Sequence, residues 1–435
     1  MIAVELVIVL LAIFLGARLG GIGIGFAGGI GVLVLAIIGV KPGSIPFDVI
    51  SIIMAVIAAI SAMQVAGGMD YLVQQTEKLL RKNPKHITIL APLVTYFLTI
   101  FAGTGNISLS ALPVIAEVAK EQGIKPCRPL STAVVSAQIA ITASPISAAV
   151  VYMSSVMEGQ GVSYLHLLMI VIPSTLCAVF VMSLIVSWCF SSKLSDDPIY
   201  LKRLEEGLVT LRGDTVKVIK PRAKTSVLLF LAGVLCVVAY AIINSPSVGL
   251  VETPLMNTTN AILIIMLSVA TITTLVCSVD TDSILNSSTF KAGMSACICI
   301  LGVAWLGDTF VQHNLEWIKE TAGSLIQAHS WLLAVIFFFC SALLYSQAAT
   351  AKALMPMPMA LALNVSPLAA IASFAAVSGL FILPTYPTLV AAVQMDDTGT
   401  TRIGRFVFNH PFFIPGTIGV ALAVCFGFVM GGLVL

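Results

Sequence analysis

FAGTGNISLSALPVIAEVAKEQGIKPCRPLSTAVVSAQIAITASPISAAVVYMSS, residues 101–155, is an apolar stretch interrupted twice by residues that do not continue a helix. The first interruption, Phe101-Ala-Gly-Thr-Gly-Asn106, stands between the apolar runs 86–102 and 107–119. Gly103 and Gly105 break the helix there, and Lys120, Lys125 and Arg128 then return the chain to a basic, aqueous side. This pattern predicts a re-entrant hairpin over 86–122 whose tip lies inside the membrane. The second interruption, Ile141-Thr-Ala-Ser-Pro-Ile-Ser147, divides the run 129–157 into two half-helices. Pro145 removes a backbone donor and pushes the residue before it out of the helical region.

The same grammar returns later in the chain. A polar tip, Tyr345-Ser-Gln-Ala-Ala-Thr350, follows the apolar run 331–345, and a return arm starts near Ala351-Lys352, giving a second hairpin over 331–366. The run 367–394 then carries the break Leu383-Pro-Thr-Tyr-Pro-Thr388. Gly103 to Pro145 spans 42 residues, and Tyr345 to Pro387 also spans 42. Paired interrupted helices at matching positions of two halves are the mark of inverted-repeat transporters. The expected plan is an N-terminal repeat over 1–190, a linker over 191–224 and a C-terminal repeat over 225–435.

Composition agrees with lipid as the solvent. Of 435 residues, 58% are hydrophobic and 10% charged, with a mean hydropathy of +1.05. A water-exposed globule carries roughly 25% charged residues. Further apolar runs at 2–17, 20–38, 48–66, 164–190, 225–243, 259–277, 292–310 and 410–434 approach the length of a bilayer crossing. The predicted fold is therefore an all-α polytopic membrane protein with about ten transmembrane helices, two re-entrant hairpins and two broken helices. No alternating ten-residue pattern supports a β-barrel. Glu5 stands where a signal peptide has its basic region, so the first run reads as a retained span. The linker carries eight Lys/Arg against five Asp/Glu, which places it in the cytoplasm and both termini on the periplasmic side. Lys78, Arg81, Lys82 and Lys85 form a second basic cluster on the same side.

The candidate binding residues are the polar members of the four interruptions. These are Thr104, Gly105, Asn106 and Ser108 in the first tip, and Thr142, Ser144 and Ser147 in the first break. The second tip offers Ser346, Gln347, Thr350 and Lys352, and the second break Thr385, Tyr386 and Thr388. Half-helix N-termini present unpaired N–H groups and partial positive charge, so the pattern suits the carboxylates of a small anion. Serine, threonine and proline also bend membrane helices and join neighbours, which is the competing reading for each residue singly. Lys352 either pairs a substrate carboxylate, snorkels to the interface or meets an acid such as Asp308. Asp308 itself reads as a structural or interfacial acid. Asp396, Asp397, Arg402 and Arg405 read as a solvated cytoplasmic connection.

Several chemistries are excluded. Gly23, Gly25 and Gly28 match G-x-G-x-x-G but no strand precedes them, whereas Gly21, Gly25 and Gly29 stand four apart, as close helix packing requires. The nine cysteines are scattered, and Cys297 with Cys299 lacks a second ligand pair, so no disulfide frame, metal or cofactor is expected. The formal charge of +2 gives no nucleic-acid footprint. No Walker motif or catalytic residue set points to an enzyme.

Four runs closely resemble the anaerobic four-carbon dicarboxylate transporter (Dcu) family: LGARLGGIGIGFAGGIGVLVL at 15–35, residues 101–155, MNTTNAILIIMLSVAT at 256–271, and FILPTYPTLVAAVQMDDTGTTRIGRFVFNHPFFIPG at 381–416. The resemblance implies a bacterial inner-membrane carrier of fumarate, malate, aspartate and succinate, working by antiport in anaerobic respiration. It also implies an elevator-type homodimer embedded in lipid, with substrate bound at the two tips and two breaks. Alternatives are a sodium- or proton-coupled symporter and a dicarboxylate-binding sensor without flux. A channel would need a continuous polar stripe, while polarity here clusters at four places.

Overall fold

A computed structural model describes residues 2–19, 22–45, 47–190, 193–209, 219–244, 250–251, 254–314, 316–317, 329–344, 346–355, 365–384, 386–404, 406 and 408–435. Helices account for nearly all of the regular structure, and the described residues hold a single isolated bridge, Ile124 to Lys193. Among the described residues, seven helices are long and apolar enough to cross a membrane, or up to nine if two strongly bent pairs each count as one span. Ile2–Gly16, Gly23–Ile37 and Leu332–Ala342 are shorter apolar helices. In hydrocarbon only a helix satisfies its own backbone, so these runs have no other stable form.

In the first half, α1 (Ile2–Leu19), α2 (Gly23–Ile37) and α3 (Phe47–Val65) lead into α4 (Gly68–Lys82), which bends away from α3 by 75°. Gly67 makes that corner with φ 91°. There follow α5 (Ile87–Ala102), a 3-10 turn at Gly105–Ser110, α6 (Leu112–Glu121), α7 (Cys127–Ala140), α8 (Ala148–Glu158) and α9 (Tyr164–Cys189). After the linker helix α10 (Pro198–Glu205) come α11 (Ala223–Ile243), α12 (Thr258–Cys277), α13 (Thr281–Asn286) and α14 (Ser288–His313). The second half ends with α15 (Leu332–Leu344), α16 (Gln347–Leu354), α17 (Pro367–Phe374), a 3-10 stretch at Ala375–Ile382, α18 (Pro387–Met395) and α19 (Phe413–Val434). Polar side chains set the helix starts: Ser163, Asn257 and Ser287 cap α9, α12 and α14.

Four helices of the second half start at similar distances after four helices of the first. α14 starts 241 residues after α3 (47 to 288), α15 245 after α5 (87 to 332), α18 239 after α8 (148 to 387) and α19 249 after α9 (164 to 413). Packing follows the same pairing, since α2 lies on α14 as α3 lies on α12, while α9 lies directly on α19. Two bundles result. One contains α1–α3, α11, α12 and α14; the other contains α5–α9 and α15–α19, so each draws helices from both halves. They meet where α3 touches α8 and α14 touches α16. Pro84–Ala102 is itself long and apolar enough to cross a membrane. Its partner α6 has ten residues, roughly 15 Å of helix against a 30 Å hydrocarbon layer, so the pair together does not make two crossings.

Glycines bring α2 and α14 into backbone contact. A Cβ on Gly25 would lie 2.2 Å from the Ile298 carbonyl oxygen, and one on Gly28 2.4 Å from the Gly302 carbonyl carbon. The contact face thus runs through Gly25 and Gly28, not through the fourfold spacing Gly21-Gly25-Gly29: Gly29 faces open space, and Gly21 lies outside the described residues. Six residues beyond Gly302, Asp308 of α14 accepts from the Ser44 amide at 2.6 Å and anchors the α2–α3 connection, which gives it a structural partner in the described residues. Glu5 is 1% exposed and takes a 2.6 Å hydrogen bond from Asn314 Nδ2, joining α1 to the end of α14.

The mixed-charge loop after α18 is not the solvated connection its composition predicts. Asp396 is 4% exposed and accepts from the amides of Thr398 (3.0 Å) and Thr401 (2.7 Å) and from the hydroxyl of Thr400 (2.8 Å). Asp397 pairs with Lys120 at 2.7 Å, and Arg402 reaches Asp197 at 3.8 Å; Arg405 lies outside the described residues. Arg128 is likewise buried, donating to the carbonyls of Val186 and Ser187 at the end of α9. Asp197 caps α10 and meets Lys125 at 3.2 Å, so the linker is clamped to loops of both halves. Burial opposes the Asp197 charge, but Lys125 and the Tyr200 and Ile199 amides outweigh it and hold this carboxyl below the usual carboxylate range. A depressed folded-state value means that the clamp stabilises above the ordinary carboxylate pKa and is lost as pH falls through the lower one. Asp197→Asn is therefore expected to flatten the acid side of the stability profile. Thermal midpoints of detergent-solubilised protein between about pH 6 and pH 3 check it.

Candidate functional site

The four interruptions surround one cavity of about 360 Å³ between the two bundles. The first tip contributes Gly103, Thr104, Gly105 and Asn106, and the second contributes Ser346, Gln347 and Ala348. From the breaks come Ile141, Ile146, Ala148 and Ala149 on one side, Tyr386 and Pro387 on the other. The opposite wall belongs to the other bundle: Ile52, Ile53, Val56 and Ile57 of α3, Ile24 of α2, and Ser295, Cys299, Ile300 and Val303 of α14.

Local chemistry explains each interruption. Gly103 ends α5 with φ 68°, a conformation that costs an L-residue about 1–2 kcal/mol. Thr104 then caps the 3-10 turn by accepting from the Asn106 amide at 3.4 Å. At the first break, α7 tightens into a 3-10 turn at Ile141–Ala143, and a turn closed by the Ser147 amide on the Ser144 carbonyl (3.1 Å) follows before α8 begins. Pro145 therefore sits in this turn, three residues ahead of α8, and not in the first turn of that helix. Its carbonyl accepts from the Tyr164 hydroxyl. Ser346 caps α16 through the Ala349 amide (3.2 Å), and Pro387 occupies the first turn of α18.

The sequence-predicted residues fall into two groups. Thr104, Gly105, Asn106, Ser346, Gln347 and Tyr386 line the cavity. Ser108, Thr142, Ser144, Ser147, Thr350 and Thr388 are buried and do not line it. The Ser108 hydroxyl donates to Gly105 O (2.7 Å), Thr142 to Ile139 O (2.7 Å), Ser144 to Ile100 O (2.6 Å) and Thr350 to Ser346 O (2.7 Å). Ser147 donates to Ile141 O (2.7 Å) and caps α8, while Thr388 meets Gln138 Nε2 at 3.5 Å. These hydroxyls hold the tips and breaks in shape. Lys352 belongs to α16, but its side chain lies outside the described residues, as do Thr385, Tyr345 and the return arm over 356–364.

Among the described residues lining the cavity none is charged. Its electrostatics come from peptide groups. Ala148 and Ala149, and Gln347 and Ala348, line the cavity as the first-turn residues of α8 and α16, whose amides have no acceptor within their own helices. Helix N-termini carry roughly half a positive charge, and an apolar wall strengthens their field by excluding water. The arrangement therefore favours a small anion. No group of three or more metal-ligating side chains occurs among the described residues. The residues that sequence reasoning missed are those of α2, α3 and α14. Isoleucine on a membrane helix looks the same facing lipid or cavity, although Ser295 and Cys299, one turn apart on α14, carried a faint polar signal.

Multiple apolar helices, paired interruptions and a cavity between two bundles define a multi-pass membrane protein with a transporter fold. Its fold is shared with a solved structure from Alcanivorax borkumensis described as the YdaH transporter with an unusual topology, at a TM-score of 0.52 and 14% identity over 99% of this chain and 96% of that one. The whole sequence, residues 1–435, matches the family described as anaerobic c4-dicarboxylate membrane transporter, and the chain belongs to that family. It is 85% identical over 435 residues to the C4-dicarboxylate transporter DcuA of Escherichia coli (strain K12), covering 100% of both chains. It is 59% identical over 436 residues to the DcuA of Wolinella succinogenes, again covering 100% of each. These relatives are transporters, not enzymes.

Proposed function

We propose that this protein carries four-carbon dicarboxylates such as fumarate, malate, aspartate and succinate across the bacterial inner membrane by exchange. The observation that carries the reading is the convergence of both tips and both breaks, with their helix N-termini, on one cavity without a charged side chain among its described lining residues. A dianion offers one carboxylate to the α8 amides and the other to the α16 amides. The relatives named as C4-dicarboxylate transporters support the substrate class. Asn106, Thr104 and Ser346 add hydrogen bonds; Lys352 and Thr385 join the set on their sequence positions alone.

The near-constant offset between elements supports reading residues 1–190 and 225–435 as inverted repeats, with the linker cytoplasmic and both termini periplasmic. The bundle that holds the tips and breaks moves as an elevator against the isoleucine wall of the other, in a homodimer surrounded by lipid. Purified protein in liposomes preloaded with succinate is expected to take up labelled fumarate much faster than in empty liposomes. Equal uptake into empty liposomes under a sodium or proton gradient would replace exchange with symport. Saturable binding with no flux in either case would make the protein a sensor.

A further inference from the structure

Gln347 is 4% exposed, lines the cavity at the second tip, and has its amide turned in one direction by a contact behind the site. Its Nε2 donates to the backbone carbonyl of Gln138 at 3.2 Å, and the Ser378 hydroxyl donates to the same oxygen at 3.1 Å. That carbonyl is in the last turn of α7, where the change to 3-10 bonding at Ile141–Ala143 loosens the regular helical pattern. A carbonyl oxygen has no proton to give, so the end of the Gln347 amide that faces it must be the nitrogen. The oxygen Oε1 is then the end left for the cavity.

An amide oxygen repels a carboxylate and attracts a donor. We infer that Gln347 is a specificity-determining residue that reads the substituent on the carbon next to one carboxylate, accepting a hydrogen bond from a hydroxyl or ammonium group there. Gln138 and Ser378 act as its positioning residues. The inference rests on the dicarboxylate reading of the cavity and adds to it a preference for substrates bearing a donor. A neutral hydrogen bond is worth about 0.5–1.5 kcal/mol and one to a charged group about 1.5–3 kcal/mol, so discrimination of roughly tenfold is the scale to expect.

The test uses the full chain in liposomes and measures how malate and 2-methylsuccinate compete with labelled succinate exchange. The two competitors have nearly the same size, and only malate carries a donor. Wild-type protein is expected to bind malate roughly tenfold more tightly than 2-methylsuccinate. Gln347→Met, whatever its absolute activity, should bring that ratio close to one. Equal competition in the wild type overturns the inference without any variant, and a ratio preserved in Gln347→Met overturns it as well. A uniform loss for both competitors would assign the contact to the amide's second N–H and overturn the inference too. Absence of succinate exchange in the wild type overturns the transport reading itself and this inference with it.

Discussion

Gly302→Val is expected to abolish accumulation of folded protein. A Cβ at position 302 would stand 1.8 Å from the Gly25 carbonyl oxygen and 2.6 Å from its carbonyl carbon. Both are backbone atoms of a neighbouring helix, so no rotamer change relieves the clash. Overpacking a well-filled interior costs about 1–3 kcal/mol even when flexible side chains can move, and here two helices must separate. The loss should exceed that range and consume most of a stability that is roughly 5–15 kcal/mol in total. Gly29→Ala is the internal control. A Cβ there meets nothing within 4 Å, and alanine raises helix propensity by about 1 kcal/mol. Yield of monodisperse protein and its thermal midpoint should collapse for the first variant and hold for the second.

The second large effect concerns transport with the fold retained. At Gly103 the backbone is left-handed, and a Cβ would lie 2.9 Å from Ile146 Cγ1 and 3.2 Å from the Ile146 carbonyl oxygen. Gly103→Val adds a β-branched side chain to a conformation that already costs about 1–2 kcal/mol for any L-residue. Together with the contact on the first break, about 3 kcal/mol should depopulate the competent tip, which lowers apparent substrate affinity by about 100-fold. Exchange assays at several substrate concentrations read this directly. An unchanged affinity with normal expression would show that the tip does not hold the substrate.

How far the residues foretell the structure depends on where polarity is informative. Long apolar runs and helix breakers are legible because lipid leaves no other way to satisfy a backbone, and Gly103, Pro145 and Pro387 mark the interruptions at sight. The resemblance carried by residues 101–155 and 381–416 agrees with a family match over the whole chain. Which hydroxyls face the cavity was not legible. At Ser108, Thr142 and Ser144 the helical period is lost inside the break, and each hydroxyl turns back to a nearby carbonyl instead of outward. Nor could Asp396 be placed, because its threonine cage depends on a tight turn whose residues look merely soluble. The Gly25–Gly302 contact joins positions far apart in sequence, and a single chain holds no record of such pairing.

The interleaving of the two bundles constrains how the protein is made. While the ribosome is still adding α11, the Gln138 carbonyl has neither Gln347 nor Ser378 to accept from, and α9 lacks the α19 face against which it finally rests. The first half must wait in the bilayer with polar groups open and its glycine seam on α2 uncovered, since unsatisfied groups cost several kcal/mol in hydrocarbon. The bundle that holds the tips and breaks is therefore complete only once helices of both halves are present. A chain truncated after the linker should be cleared by membrane quality control, and separately expressed halves should survive only when synthesised together.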